Sequence, residues 1–576
     1  MDAKKQLQKS LAAPSTNVRY MVVGTTALMS VLLYLDRFCI SFAEMFIKED
    51  LGLSDIQIGF MLSAFFWTYA LGQVPAGWLT DRFGSRIMLV IYVLLWSLFT
   101  GLTGLAIGFS MLLVLRFGFG FSQSGAYPTG ANIVSKWVPF EWRGTASSII
   151  STGGRLGGFL ALYGTGYVIL WLTPASTPAR LSTTDILDAP RLCRELDGKA
   201  ELDEAGRQVA QQVLTSFSES QQVAVHQVAT DQTPSAADIE TVIAGLNHVI
   251  DQPEFFPAEI LLGLPLEREA VRILAKRPSE RTAMQSQRVN RLVFEAVHPD
   301  SIKKIYGAGW RPMMFAYGSI GLLVAGLIWV FCRDRPKDHP GCNANEVALI
   351  NRDPRMSANV SSRVTRVPLM RLVRSFSMWC SCGSQFCTNV GWVFVMTWAP
   401  RFFHDVHQVP VETRALMVAI PPLAGMVGMF LGGPLTDCLI GPLGPRWGRA
   451  LPMSLTRFPA MGAYLICLTH PSAWTVALLF AIVSFFTGLG TSSSWAFCQD
   501  VGGKQVGSVL GWGNMWGNLG AAIAPALLIF VVGGEKNWDY AFMVCAAAFF
   551  VSGIAALGIN ATIPIADIER MSPEED

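Results

Sequence analysis

Gly77-Trp78-Leu79-Thr80-Asp81-Arg82-Phe83-Gly84-Ser85-Arg86 lies between two apolar runs, near residues 56 to 76 and 87 to 107, each long enough to cross a bilayer. A charged, glycine-containing stretch in that position reads as a hairpin between membrane helices, not as the catalytic loop of a soluble enzyme. A weaker copy, Gly433-Pro434-Leu435-Thr436-Asp437, stands between two later apolar runs. Two related sets of membrane helices are implied, which is the architecture of a carrier.

Composition agrees. A length of 576 residues would suggest about four soluble domains. Yet 51% of the residues are hydrophobic and only 15% charged, too little charge to cover the water-exposed surface of a soluble chain of that size. The formal net charge of +2, without a clustered basic surface, excludes nucleic acid as an expected partner. Cys39, Cys332, Cys380, Cys382, Cys387, Cys467, Cys498 and Cys545 lie inside or beside apolar runs and read as packing residues rather than a disulfide framework. The N-terminal run follows Lys4, Lys5, Lys9 and Arg19, and is too long and too charged at its far end for a cleaved signal. It is read as a retained first span.

Runs of membrane-spanning length fall near 20–45, 56–76, 87–107, 109–137, 145–172 and 311–332, then near 377–400, 414–435, 450–470, 473–497, 506–532 and 538–562. Basic residues mark the cytoplasmic side. Arg82, Arg86, Lys136, Arg143, Arg446 and Arg449 fall in loops on the N-terminal side, as do Arg333, Arg335, Lys337 and others after the sixth span, so both termini are expected in the cytoplasm. The expected fold is an all-α polytopic membrane protein with twelve transmembrane helices in two six-helix bundles. Residues 1–172 hold helices 1 to 5, residues 310–333 helix 6, residues 334–375 a cytoplasmic linker and residues 376–576 the C-terminal bundle. Residues 173–309 form an extracytoplasmic insertion, expected to be helical because Glu204 to Ser218 and Leu266 to Val297 carry apolar residues at helical spacing.

Apart from that insertion the sequence resembles the major facilitator superfamily, with Gly77 to Arg86 similar to its hairpin motif between spans two and three. The second copy departs from the motif, with Cys438 where the first has Arg82. Within the superfamily, Tyr34-Leu35-Asp36-Arg37, Arg116 through Tyr127-Pro128 to Trp137-Val138-Pro139, Arg333-Asp334-Arg335-Pro336 with His339-Pro340, and Asn514 to Gly520 resemble the anion:cation symporter family. The resemblance implies two bundles rocking about a central organic-anion site.

Charges at membrane depth cost several kcal/mol unless paired or used, and Asp36, Arg37, Arg116 and Arg155 are the clearest here, with Arg457 nearer one end. Arg37 is the expected grip on a substrate carboxylate, since a guanidinium offers a bidentate, charge-assisted fork. The plainer alternative is that it neutralises Asp36. Asp36 is the expected proton site, with Arg116 approaching and leaving it; the alternative is a permanent Asp36 to Arg116 ion pair. Gln123 stands where many proton-coupled relatives have Glu, and an amide does not titrate in this range, so fewer protons per cycle are expected. Arg155, in Gly153-Gly154-Arg155-Leu156-Gly157-Gly158, is either a second cationic contact, suited to a dicarboxylate, or a structural arginine. Tyr34, Tyr127, Asn389, Asn514 and Asn518 are candidate lining residues, and ordinary helix packing explains them equally well.

Gly77, Asp81, Arg82, Gly84, Arg86 and Asp437 are the expected gating residues, with Asp81 mattering more than Asp437. No cofactor, metal or enzymatic constellation is expected: Cys380, Cys382 and Cys387 have the wrong spacing for zinc, His404 and His407 alone make a poor site, and no phosphate-cradling loop appears. The reading is a monomeric plasma-membrane carrier, in an inner membrane if the cell has two, that imports a sugar acid or similar carboxylate by proton symport. Sodium coupling and a non-transporting receptor using the insertion are the alternatives.

Overall fold

The computed structural model describes residues 14–173, 177–200, 202–231, 234–264, 266, 268–352, 369–399, 402–403, 406–407, 411–532 and 537–565. His404, and residues 353–368 of the expected linker, lie outside them. Among the described residues six helical stretches, or seven counting one bent pair, are long and apolar enough to cross a membrane; two of these, Leu416–Cys467 and Ala473–Ala524, are 52 residues long and each takes in two successive helices. In chain order the membrane helices are α1 (Val18–Leu51), α2 (Asp55–Phe83), α3 (Ser85–Thr103), α4 (Phe109–Gln123 continuing as Ala126–Trp137), α5 (Arg143–Leu172) and α6 (Trp310–Phe331). They continue as α7 (Phe376–Val393, with a π-turn over Phe394–Trp398), α8 and α9 (Val411–Leu455, which kinks at Gly444 where α8 gives way to α9, with Arg457–Cys467 completing α9), α10 (Ala473–Gly502), α11 (Val506–Val532) and α12 (Trp538–Leu557).

The hairpins differ from their expected form. Helix α2 runs on through Asp81 to Phe83, so the loop shrinks to Gly84, whose φ of +96° is open to glycine at little cost. A Cβ there would also stand 2.7 Å from Asp334 Oδ2. In the second copy Asp437 is likewise helical, and α8 turns into α9 at Gly444, with φ +71°. Nothing in either stretch stops a helix before its glycine. Pro75, Pro421, Pro422 and Pro434 sit inside helices, as membrane helices tolerate. Helix α5 lies close on α1, because Gly153 and Gly157 leave room for the Ala27 and Val31 carbonyls.

The chain divides into two compact units. One comprises residues 1–41, 56–164 and 314–576, and its core joins buried residues of many membrane helices, among them Leu33, Trp96, Phe119, Trp137, Phe497 and Leu510. The other comprises 42–55 and 165–313. Its helices include Glu204–Ser216, Glu219–Thr230, Ala236–Asp251 and Ala283–Val297, packed around Val209, Val225, Leu246, Val249 and Phe294. The helical pattern over Leu266 to Val297 splits into Arg268–Leu274 and Ala283–Val297, because Pro278 lacks the N–H a continuous helix needs. Within this unit Asp50, near the end of α1, accepts from Lys303 Nζ at 2.6 Å and Arg311 Nη2 at 2.9 Å.

Candidate functional site

Asp36 and Arg37 project from α1 into the interior, 1% and 9% exposed. Arg37 lies among aromatic faces, with its guanidinium carbon 4.3 Å from the Tyr69 ring centroid, 4.8 Å from Tyr34 and 4.9 Å from Phe65. Three rings supply cation–π attraction in place of a carboxylate. Its Nε donates to Gln123 Oε1 at 3.2 Å, while Gln123 Nε2 donates to the Leu33 carbonyl at 2.9 Å. The neutral amide therefore positions Arg37 as well as lacking a proton site. Arg37 Nη2 is buried and has no hydrogen-bond partner among the described residues.

Asp36 Oδ2 accepts from the Trp96 indole at 3.1 Å, and Oδ1 is buried without a partner among the described residues. No ion pair between Asp36 and Arg116 occurs among the described residues, so the permanent bridge is not the arrangement here. Arg116, 4% exposed, instead faces the Phe119 ring at 4.9 Å and Phe65 at 5.3 Å, and its Nε has no partner among the described residues. Phe65 thus lies against both Arg37 and Arg116.

Tyr34 lies in the field of both Arg155 and Arg37, the Arg37 guanidinium carbon being 4.8 Å from its ring. Its ring packs edge-on to Tyr127 at 6.3 Å, and Tyr127 packs on Trp495 of α10 at 4.8 Å, carrying the aromatic lining across to the second half. Arg155 faces the Trp392 ring of α7 at 4.8 Å. The amides are less available than expected. Asn389 Nδ2 donates to the Gly517 carbonyl at 2.8 Å and Asn518 Nδ2 to the Asn514 carbonyl at 2.8 Å, so both donor groups serve helix packing.

At the hairpin end, each motif carboxylate reaches across to the other half. Asp81 accepts from Gly507 N at 3.0 Å and from Ser508 N and Oγ at 2.8 and 2.7 Å, at the N-terminus of α11, and from Asn132 Nδ2 at 2.7 Å. Asp437 accepts from Gly144 N at 3.0 Å and from Thr145 N and Oγ1 at 2.7 and 2.8 Å, at the start of α5, and from Arg449 Nη1 at 3.3 Å. A carboxylate at a helix N-terminus satisfies free N–H groups and complements the helix dipole. The backbone and hydroxyl donors mirror one another, while the fourth donor differs, a neutral amide for Asp81 and a guanidinium for Asp437. Arg82 lies over Trp78 and Phe83, while Arg86 donates to the Trp329 carbonyl at 2.7 Å; neither bond joins the halves. Gly77 is pressed against the Gly507 backbone and does join them.

Sequence reasoning missed Asp500, which is held between Arg143 Nη1 of α5 at 3.0 Å and Arg449 Nε of α9 at 2.9 Å. The signal was a single acid at the end of an otherwise uncharged run. It also missed Trp96, 60 positions from Asp36, which no local pattern connects to it.

The sequence matches the Major Facilitator Superfamily over residues 26–177 and 305–525, and the chain belongs to that superfamily: it is a membrane transporter and not an enzyme. Among its relatives are a probable sulfoacetate transporter of Cupriavidus necator, 24% identical over 97% of this chain and 96% of the relative. Another is a probable galactarate/D-glucarate transporter of Escherichia coli, 22% identical over 96% of this chain and 95% of the relative. The crystal structure of the Escherichia coli fucose:proton symporter shares the fold, with a TM-score of 0.53 at 15% identity, over 92% of this chain and 97% of that one.

Proposed function

We propose that the chain imports a sugar acid or similar organic carboxylate by proton symport, through alternating access of its two halves. One observation carries the reading: Arg37 is a buried guanidinium bonded to a neutral amide and to aromatic faces, with one Nη unpartnered among the described residues. A buried cation without a carboxylate is costly unless an anion visits it. The relatives named for sulfoacetate and for galactarate or glucarate support an acid as that visitor.

Asp36 is the proposed proton carrier. Its unpartnered Oδ1 and lone Trp96 donor leave it poorly supported as a carboxylate, so that a proton rides there until Arg116 swings in to displace it. Gln123 holds Arg37 without titrating. In this reading Asp81 and Asp437 close the hairpin end, and the basic loops support a cytoplasmic side for that end and for both termini, in the plasma or inner membrane.

The test uses purified full-length chain in proteoliposomes. Asp36→Asn should abolish accumulation driven by a proton gradient while keeping exchange of labelled for unlabelled acid, and Arg37→Gln should lose both. Gradient-driven accumulation surviving in Asp36→Asn removes the residue from coupling. Accumulation that follows an imposed sodium gradient instead would replace the proton by sodium.

A further inference from the structure

A small cavity of about 20 Å³, large enough for one oxygen-sized group, lies between α5, α7, α8 and α10 and is lined by Arg155, Trp392, Ser484 and Thr487 among others. Its hydroxyls are unusual. Thr491 on the same helix satisfies its Oγ1 by donating back to the Thr487 carbonyl at 2.9 Å, but Ser484 Oγ and Thr487 Oγ1 are buried with no partner among the described residues. Ser484 is 0% and Thr487 8% exposed, so bulk water does not supply that bond.

Two cations flank the pair. Arg155 lines the cavity with Trp392 behind its guanidinium. Behind the lining Arg457, 3% exposed, donates Nη1 to the Thr487 carbonyl at 3.3 Å, and among the described residues its Nε has no partner and it makes no ion pair. One positive charge and two idle hydroxyls line a space the size of one acid oxygen, with a second positive charge bonded to the backbone of Thr487 outside that lining. Buried charges in membrane helices ordinarily pair, and here the missing partner is an anion.

We infer that this cavity is a subsite for a second acidic group, so that the transported species is a dianion with an acid at each end. The inference rests on the carboxylate site proposed at Arg37. One acid group docks on Arg37; the other reaches past Tyr34 to Arg155 and accepts from the Ser484 and Thr487 hydroxyls, with Arg457 adding its field through the wall. Carboxylate and sulfonate oxygens satisfy these donors alike.

The experiment measures dissociation constants of the purified chain for two matched pairs: galactarate against galactonate, and sulfoacetate against acetate. In the wild type at least one dianion should bind tenfold or more tightly than its monoanionic partner, the scale of a charge-assisted contact. Ser484→Ala with Thr487→Val should cut that ratio by about tenfold, Arg155→Gln by at least as much, and Thr487→Ser, which keeps a hydroxyl, should preserve it. Wild-type ratios near one, or ratios unmoved by the double variant, overturn the subsite while leaving the Arg37 site standing. Failure of all four acids to bind overturns both.

Discussion

Asp81→Asn probes the closure of the hairpin end. The Asp81 carboxylate takes two main-chain N–H groups and a hydroxyl from the start of α11, all within 3.0 Å, and gives the opposite half of the protein its helix cap. Asparagine keeps the shape but turns one acceptor into an NH₂ facing those donors. A hydrogen bond to a charged acceptor contributes about 1.5–3 kcal/mol net, and loss of a helix cap about 1. On opening, water takes over part of this, so about 2 kcal/mol is a fair loss from the closed state. At about 1.4 kcal/mol per tenfold, the closed-to-open ratio falls roughly thirtyfold. A closed population near 99:1 would drop to about 3:1, well within the reach of spin-label distance measurements. Labels at Arg82→Cys and Arg446→Cys, both exposed and in opposite halves, suit the assay once the exposed Cys438 is replaced. A longer-distance population should appear in Asp81→Asn, and one also in Asp437→Asn, since Asp437 accepts from the matching backbone and hydroxyl donors of α5. Distance distributions identical to the wild type in both variants would refute the capping argument.

Other expectations follow from the same contacts. Gln123→Glu places a carboxylate on Arg37 Nε and against the Leu33 carbonyl, so substrate affinity should fall about tenfold and become pH-dependent; binding at two pH values checks this, and unchanged affinity would detach Gln123 from Arg37. In the insertion, burial alone would raise the Glu195 carboxyl, but His298 at 2.6 Å and Arg191 at 3.0 Å outweigh it and hold the group below the usual range. A carboxyl lowered by folding lends stability that is present above the unfolded value, about 4.3, and lost as pH falls through the lowered one. Hydrogen exchange over residues 189–297 should therefore speed up below about pH 4, and less steeply in Glu195→Gln; an equally steep acid limb in that variant would reassign the effect.

The hairpins and the superfamily were legible because a charged turn between apolar runs is a local pattern, and so was the short list of membrane charges. Helix ends were not: Asp81 and Asp437 carry charge and look like loop residues, yet no proline or glycine stops either helix before Gly84 and Gly444. Partnerships across the fold were hidden as well. Arg143 read as a marker of sidedness, while its bond to Asp500 lies 357 positions away. Ser484 and Thr487 were invisible because small hydroxyls are common in membrane helices and usually bond to their own backbone; only coordinates reveal that these two do not.

The Gln123 amide beside Arg37 also bears on how steeply this carrier can concentrate its cargo. With Asp36 alone loading a proton, a monoanion crosses as a neutral pair and its final gradient ignores the membrane potential. A dianion crosses with one net negative charge, and an interior 100 mV negative opposes it by about 2.3 kcal/mol, close to fiftyfold in the attainable gradient. Under the proposed one-proton cycle, a carrier of dianions is a poor accumulator and a good feeder, working best where enzymes inside consume the acid as quickly as it arrives.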